Sequence, residues 1–187
     1  MPECTPRCHC DKRRCEFTLK QIRHILLLPT TNTMPLHRFF TPTGLYSRED
    51  KAAIAAAVTG VYASLPPFYV VVLFIDVDID SYFVGGKSTD KFLRIGVEHI
   101  ARNFSNDKSK RNFMDRYEKA LEPFTAGRGI DWEVQITDDD RMLWNENGMA
   151  PPPAGSEEEQ IWKEENRAVP SEEMEVLKKE RRQEYLN

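Results

Sequence analysis

Pro35 is the residue of this chain with the most chemistry within reach. It follows Met34 and opens a run, Leu36 to Phe40, that reads as a β-strand. As the first residue of a mature chain, a proline carries a secondary amine. Buried beside cations, that amine can serve as a general base near neutral pH. An ordinary α-amine titrates at roughly 7.7–8.0, and burial next to a guanidinium disfavours the charged form and lowers the value. Inside a chain the same nitrogen is a tertiary amide, with no N–H and no basicity. Residues 1–34 precede Pro35, so its chemistry turns on where the mature protein begins. Met1-Pro2 offers a second proline that loss of Met1 would expose, but it heads a segment with no strand to bury it.

That segment holds every cysteine of the chain: Cys4, Cys8, Cys10 and Cys15. A disulfide scaffold spreads its cysteines through the core it staples, so the body of the protein does not depend on them. With His9 they form a possible zinc knuckle, yet the spacing matches none of the paired C-x2-C sites. A mitochondrial presequence fits poorly, because residues 1–34 include three acids and no serine. The plain reading is a disordered extension or upstream sequence translated by an over-long gene model. Gly85-Gly86-Lys87-Ser88 lacks the earlier glycine and the following helix of a phosphate loop. No metal cluster or dinucleotide fingerprint appears in the body, and no cofactor is implied.

The elements that must position Pro35 can be read from periodicity. Residues 35–41 form a first strand, and Pro42 and Gly44 a turn. Ser47 caps a helix with Glu49 and Asp50 in its first turn. Ile54, Ala57, Val58, Val61, Tyr62 and Leu65 recur at helical spacing as one buried stripe, and Pro66-Pro67 ends it. Phe68 to Ile79 reads as the strongest strand, apolar enough to be buried on both faces. Tyr82 to Val84 with Gly85-Gly86 make a hairpin, and Lys91 to Ala101 another strand. Ser105 or Asn106 caps a second helix to about Pro123, with Phe113, Tyr117, Ala120 and Leu121 inward. Gly127 and Gly129 precede the strand Ile130 to Ile136. The order is β-α-β, hairpin, β-α-β, an internal duplication. It predicts an α/β fold: a four-stranded core sheet with both helices on one face.

From about residue 150 the chain changes character. Pro151-Pro152-Pro153 leads to a charged helix from Ser156 carrying Ile161 and Trp162, and Ser171 caps a last helix rich in Glu, Lys and Arg. So charged an arm is expected to be a solvated end or to lie on a neighbouring subunit. The 187 residues suit one domain of ordinary size. The net charge of −4 divides into +3 for residues 1–34 and −7 for residues 35–187, and an acidic body argues against nucleic acid as a partner. With no apolar run near 18 residues, the chain reads as soluble and cytoplasmic, with no membrane partner.

Pro35 at the head of a β-α-β duplication resembles the tautomerase superfamily, and within it the group around cis-3-chloroacrylic acid dehalogenase and its fungal relatives. The resemblance spans residues 35–187 as a tautomerase-like domain with a C-terminal arm from about 150. It aligns Ala57-Val58-Thr59 with the family's first helix and Phe83-Val84-Gly85-Gly86 with its hairpin motif. Pro151 to Pro153, Trp162 and Asn166 fit the fungal group. It implies catalytic roles for Pro35 and Glu146, the latter in Glu146-Asn147-Gly148 after Trp132, and a substrate-binding role for Arg102. Three positions depart from the pattern. Tyr62 stands where the family has a catalytic histidine, His99 where it has a second arginine, and Val134 or Gln135 where it has a tyrosine. Tyr62 lies on the apolar stripe of its helix, which packing explains, and by its position it also joins Arg102 and His99 as a substrate-binding candidate.

The resemblance implies a cofactor-free homotrimeric enzyme acting on a small unsaturated or keto carboxylate, by tautomerisation or by dehalogenase-like hydration. The departures favour the milder proton transfer. In that scheme Pro35 moves the proton, Arg102 grips the carboxylate through a bidentate fork, and Glu146 activates water or positions the substrate. His99 completes the anion site when protonated, or donates a hydrogen bond when neutral. The competing reading is a catalytically silent trimeric binding or scaffold protein with Pro35 blocked by residues 1–34. A third places function in the cysteine segment as a metal or redox module.

Overall fold

A computed structural model of the chain describes residues 34–184, and the cysteine segment, with its metal and targeting readings, lies outside the described residues. Strand β1 (Met34–Pro42) is followed by helix α1 (Arg48–Val61) and strand β2 (Val71–Val77). Strands β3 (Phe83–Val84) and β4 (Lys87–Ser88) form the hairpin, with both intervening glycines at positive φ. Strand β5 (Phe92–Ile100), helix α2 (Asp107–Leu121) and strand β6 (Asp131–Asp138) repeat the first unit, and helices α3 (Glu157–Glu165) and α4 (Ser171–Glu184) close the chain. The capping chemistry accounts for the helix starts. Ser47 Oγ accepts from the Asp50 amide while the Asp50 carboxylate accepts from the Ser47 amide, both at 3.1 Å. For α2 the cap is Asn106 rather than Ser105, with Ser109 as its reciprocal partner.

The main sheet runs β2-β1-β5-β6. Each β-α-β unit pairs its own strands in parallel, and the units join through the antiparallel β1–β5 ladder. Alternation then decides which face is core. Pro35, His37, Phe39 and Thr41 of β1 and Leu93, Ile95, Val97 and His99 of β5 are all buried, facing the helices. Ile54, Val58, Tyr62 and Leu65 meet them from α1 and its C-terminal turn, and Phe113, Tyr117 and Leu121 from α2. Ala57, Val61 and Ala120, read as part of the same stripes, are only half-buried.

Two expectations are corrected. The strand expected over Phe68 to Ile79 is shorter, because Pro66-Pro67 sets a 3-10 turn over Pro67–Tyr69 first. It is also not buried on both faces: β2 is an edge strand, and Val71 and Leu73 on its outer side are 40% and 45% exposed. The apolar run is real, but within one chain only one side has helices to cover it. The C-terminal arm is not a solvated end, for it buries Ile161, Trp162, Ala168, Val169 and Met174 into its own chain's core. Asn166 Oδ1 accepts from the Phe68 amide at 2.9 Å, and Lys163 Nζ donates to the Ala63 carbonyl at 2.8 Å. The arm's few apolar residues, each contributing about 1.5–3 kcal/mol when fully buried, outweigh its charged surface because the charges stay in water. Among the described residues no helix is long and apolar enough to cross a membrane.

Candidate active site

The topology brings four chain segments to one end of the sheet. Parallel β1 and β2 start there, while β5 and β6, antiparallel to them, end there. Pro35 therefore faces His99 directly across the β1–β5 ladder, and both are buried on the helix-facing side. In this chain β1 already begins at Met34, paired with Ile100, so the Pro35 nitrogen lies in a peptide bond within the ladder.

His99 is held at both ring nitrogens. Nε2 lies 2.6 Å from the Arg102 carbonyl oxygen, which can only accept, so Nε2 carries the proton. Nδ1 is then left to accept from the Tyr62 hydroxyl at 3.4 Å. The ring stacks on Phe104 at 4.5 Å and packs against Phe113. Burial lowers the pKa of His99, opposed in part by the Arg102 carbonyl and by Asp138 and Asp139. His99 is thus a neutral donor already spent on the backbone and brings no positive charge. Tyr62 is pushed well up by burial, against the opposing charge of Arg116, and stays a phenol.

Arg102 follows β5 and is one-third exposed. Its guanidinium makes a two-pronged pair with Glu159 of α3, at 3.1 and 2.8 Å, and also donates to the Ala101 carbonyl at 3.1 Å. Glu159 is buried and accepts a further bond from the Gly155 amide at 2.7 Å. Ser156 caps α3 by accepting from the Glu159 amide. The Ser-x-x-Glu spacing is that of a capping box, but the carboxylate has turned from the cap toward Arg102.

Tyr62, His99 and Arg102 line one cleft of about 240 Å³, together with Phe104, Phe113 and Arg116. Pro35 and Glu146 are not among its lining residues. Glu146 lies beyond β6 at the foot of a two-residue turn, where it exchanges two backbone bonds with Met149 (2.8 and 2.9 Å). Asn147 and Gly148 both take positive φ, the geometry an Asn-Gly pair adopts most easily. Burial raises the pKa of Glu146 above the usual carboxylate range. Its charge also acts on Tyr69. That ring is wedged against Trp144, Phe68 and Trp162, and its hydroxyl is buried with no hydrogen-bond partner among the described residues. Burial, Glu159 and Glu146 raise the Tyr69 pKa, while Arg141 and Arg102 lower it.

Sequence reading missed Arg116, Tyr69, Arg141 and Glu159. Arg141 donates to the Pro151 and Pro152 carbonyls and so anchors the triple proline. It also missed His37, fully buried beneath the site, whose Nδ1 lies 2.8 Å from the Tyr117 hydroxyl. The alternation of Pro35, His37 and Phe39 was the available signal for His37.

Residues 34–167 match the Tautomerase_3 family model, described as "Putative oxalocrotonate tautomerase enzyme". The chain belongs to the tautomerase superfamily. Native RhCC from Rhodococcus jostii RHA1 is 38% identical over 72% of this chain and 99% of its own, with a TM-score of 0.70. A "probable enzyme" from the thermophilic fungus Aspergillus fumigatus is 37% identical over 74% of this chain and 98% of its own, also at 0.70. N1, a member of the cis-3-chloroacrylic acid dehalogenase family, shares the fold at 20% identity, 70% and 97% coverage and a TM-score of 0.53. No curated protein matches the sequence. For this tautomerase superfamily member, a cleft with two guanidiniums, neutral hydrogen-bonding rings and apolar walls can hold a small anion next to the start of β1.

Proposed function

We propose that the protein is an enzyme in which Pro35, freed as the N-terminal residue by removal of the residues before it, acts as general base and acid. Its substrate is a small unsaturated or keto carboxylate, and its reaction is tautomerisation or a dehalogenase-like hydration. The observation that carries the reading is the pairing of Pro35 with His99, on the wall of the cleft that Tyr62 and Arg102 also line. A freed amine at the first residue of β1 would sit in an apolar setting that holds its pKa down. Arg102 keeps N–H groups beyond those given to Glu159 and Ala101, and these can orient a substrate oxygen. Glu146, with its raised pKa, suits proton exchange with water or the far end of the substrate. No cofactor is needed. Association as a homotrimer is supported by superfamily membership and by the apolar outer side of β2.

A second reading is favoured by one observation. With Met34 in the ladder, Pro35 has no amine, and the protein is then a silent trimeric binding protein. The test compares a chain starting at Pro35 with the full chain on an aryl enolpyruvate, following loss of enol absorbance. Turnover only by the Pro35-start chain, abolished by Pro35→Ala, is expected. Equal rates in the two chains, or none in either across a panel of keto acids, would overturn the proline mechanism.

A further inference from the structure

The cleft contains two guanidiniums, and they are in opposite electrostatic situations. Arg102 is matched by Glu159 through two contacts, and the buried carboxylate is fixed from its other side by the Gly155 amide. An anion approaching Arg102 meets a pair whose charges cancel, with a carboxylate directly behind the cation. Arg116 has no ion pair and no side-chain hydrogen bond among the described residues. Its guanidinium lies over the Phe113 ring, 5.9 Å from the centroid. Phe113 in turn packs on Tyr62 and His99, which sets this charge at the wall of the cleft. The third candidate cation, His99, is neutral with its N–H committed to the Arg102 carbonyl. Asp107, the acid in the first turn of α2, is engaged by Lys110.

We propose that Arg116 supplies the net positive charge that draws a small carboxylate into the cleft, while Arg102, its charge matched by Glu159, is left only to orient it. The assignment rests on the reading of this cleft as the substrate site and names the group that selects for anions there. Ser105, also on the lining, accepts from Asn106 Nδ2 at 3.2 Å and keeps its own proton to donate to the same anion. A cleft of about 240 Å³ is smaller than the roughly 300–1,000 Å³ of drug-sized sites, which suits a ligand of a few carbons.

The experiment is calorimetric titration of the full chain with pyruvate and with its neutral amide, pyruvamide. The wild type is expected to prefer pyruvate, the preference weakening with added salt. Arg116→Gln is expected to raise the Kd for pyruvate about tenfold and leave that for pyruvamide alone, and Arg116→Lys to recover most of the loss. Glu159→Gln, by releasing the charge of Arg102, is expected to tighten pyruvate. Equal pyruvate affinity in the wild type and Arg116→Gln overturns the assignment, as does a wild type that does not distinguish the two probes. Binding is read with Pro35 in peptide linkage, so failure here is separate from failure of proline turnover.

Discussion

Arg102 and Glu159 join the end of β5 to the first turn of α3 through a two-pronged ion pair, and the two partners are buried very unequally. The carboxylate is 5% exposed, whereas one-third of the arginine side chain meets solvent. Cutting the pair from either side therefore has different consequences. Arg102→Met strands a buried carboxylate with only the Gly155 amide, and is expected to cost about 2–4 kcal/mol. Glu159→Gln leaves a guanidinium that water can reach and keeps an acceptor, at a cost of about 1 kcal/mol. Urea unfolding midpoints of the two variants check the order, and a reversed order would mean that α3 does not bury Glu159.

His37 makes stability fall with acid before the carboxylates titrate. Burial, with the field of His99, holds its pKa down to about 3, and burial lowers His99 as well. In the unfolded chain both titrate near about 6.5. Between those values the unfolded state binds more protons than the folded one, so stability is complete above the unfolded pKa and declines as pH falls toward 3. Asp50, held below the usual range by the Arg128 guanidinium, adds its loss only at still lower pH. Melting temperatures from pH 7.5 to 5 are expected to drop in the wild type and less in His37→Gln. An equally steep slope in the variant would count against His37.

Tyr69 and Tyr46 offer a matched comparison. The Tyr69 hydroxyl is buried without a partner among the described residues, whereas that of Tyr46 donates to the Phe124 carbonyl at 2.8 Å. Tyr46→Phe is expected to destabilise by about 1 kcal/mol, and Tyr69→Phe to be neutral or stabilising by a similar amount. Thermal unfolding of the two variants side by side decides the matter. A clear loss in Tyr69→Phe would show that its hydroxyl is satisfied in solution.

The outer side of β2 should answer to charge. Val71 and Leu73 are exposed on an edge strand, an arrangement that invites another chain. If the proposed trimer uses this surface, Leu73→Glu yields a monomer in sedimentation, with the far-ultraviolet circular dichroism unchanged. A Leu73→Glu protein of wild-type mass would remove the surface from the assembly.

What the sequence determined by itself is local or periodic. The cap at Ser47, the Gly85-Gly86 hairpin and the duplicated β-α-β order depend on neighbours a few residues apart, so they are legible without a fold. Family membership followed because the order of such elements, headed by Pro35, is itself a pattern. What the tertiary structure decided concerns contacts between residues far apart in the chain. Whether β2 is covered on both faces depends on sheet order, which periodicity does not encode. The arm settles on its own chain because Trp162 finds Phe68 and Tyr69, nearly a hundred positions away. The same long-range closure gives Arg102 a carboxylate partner in α3 and gives Arg116 none among the described residues. Nothing in the spacing of either arginine distinguishes them, because both carry the same charge and only folding decides whether a carboxylate is brought beside it.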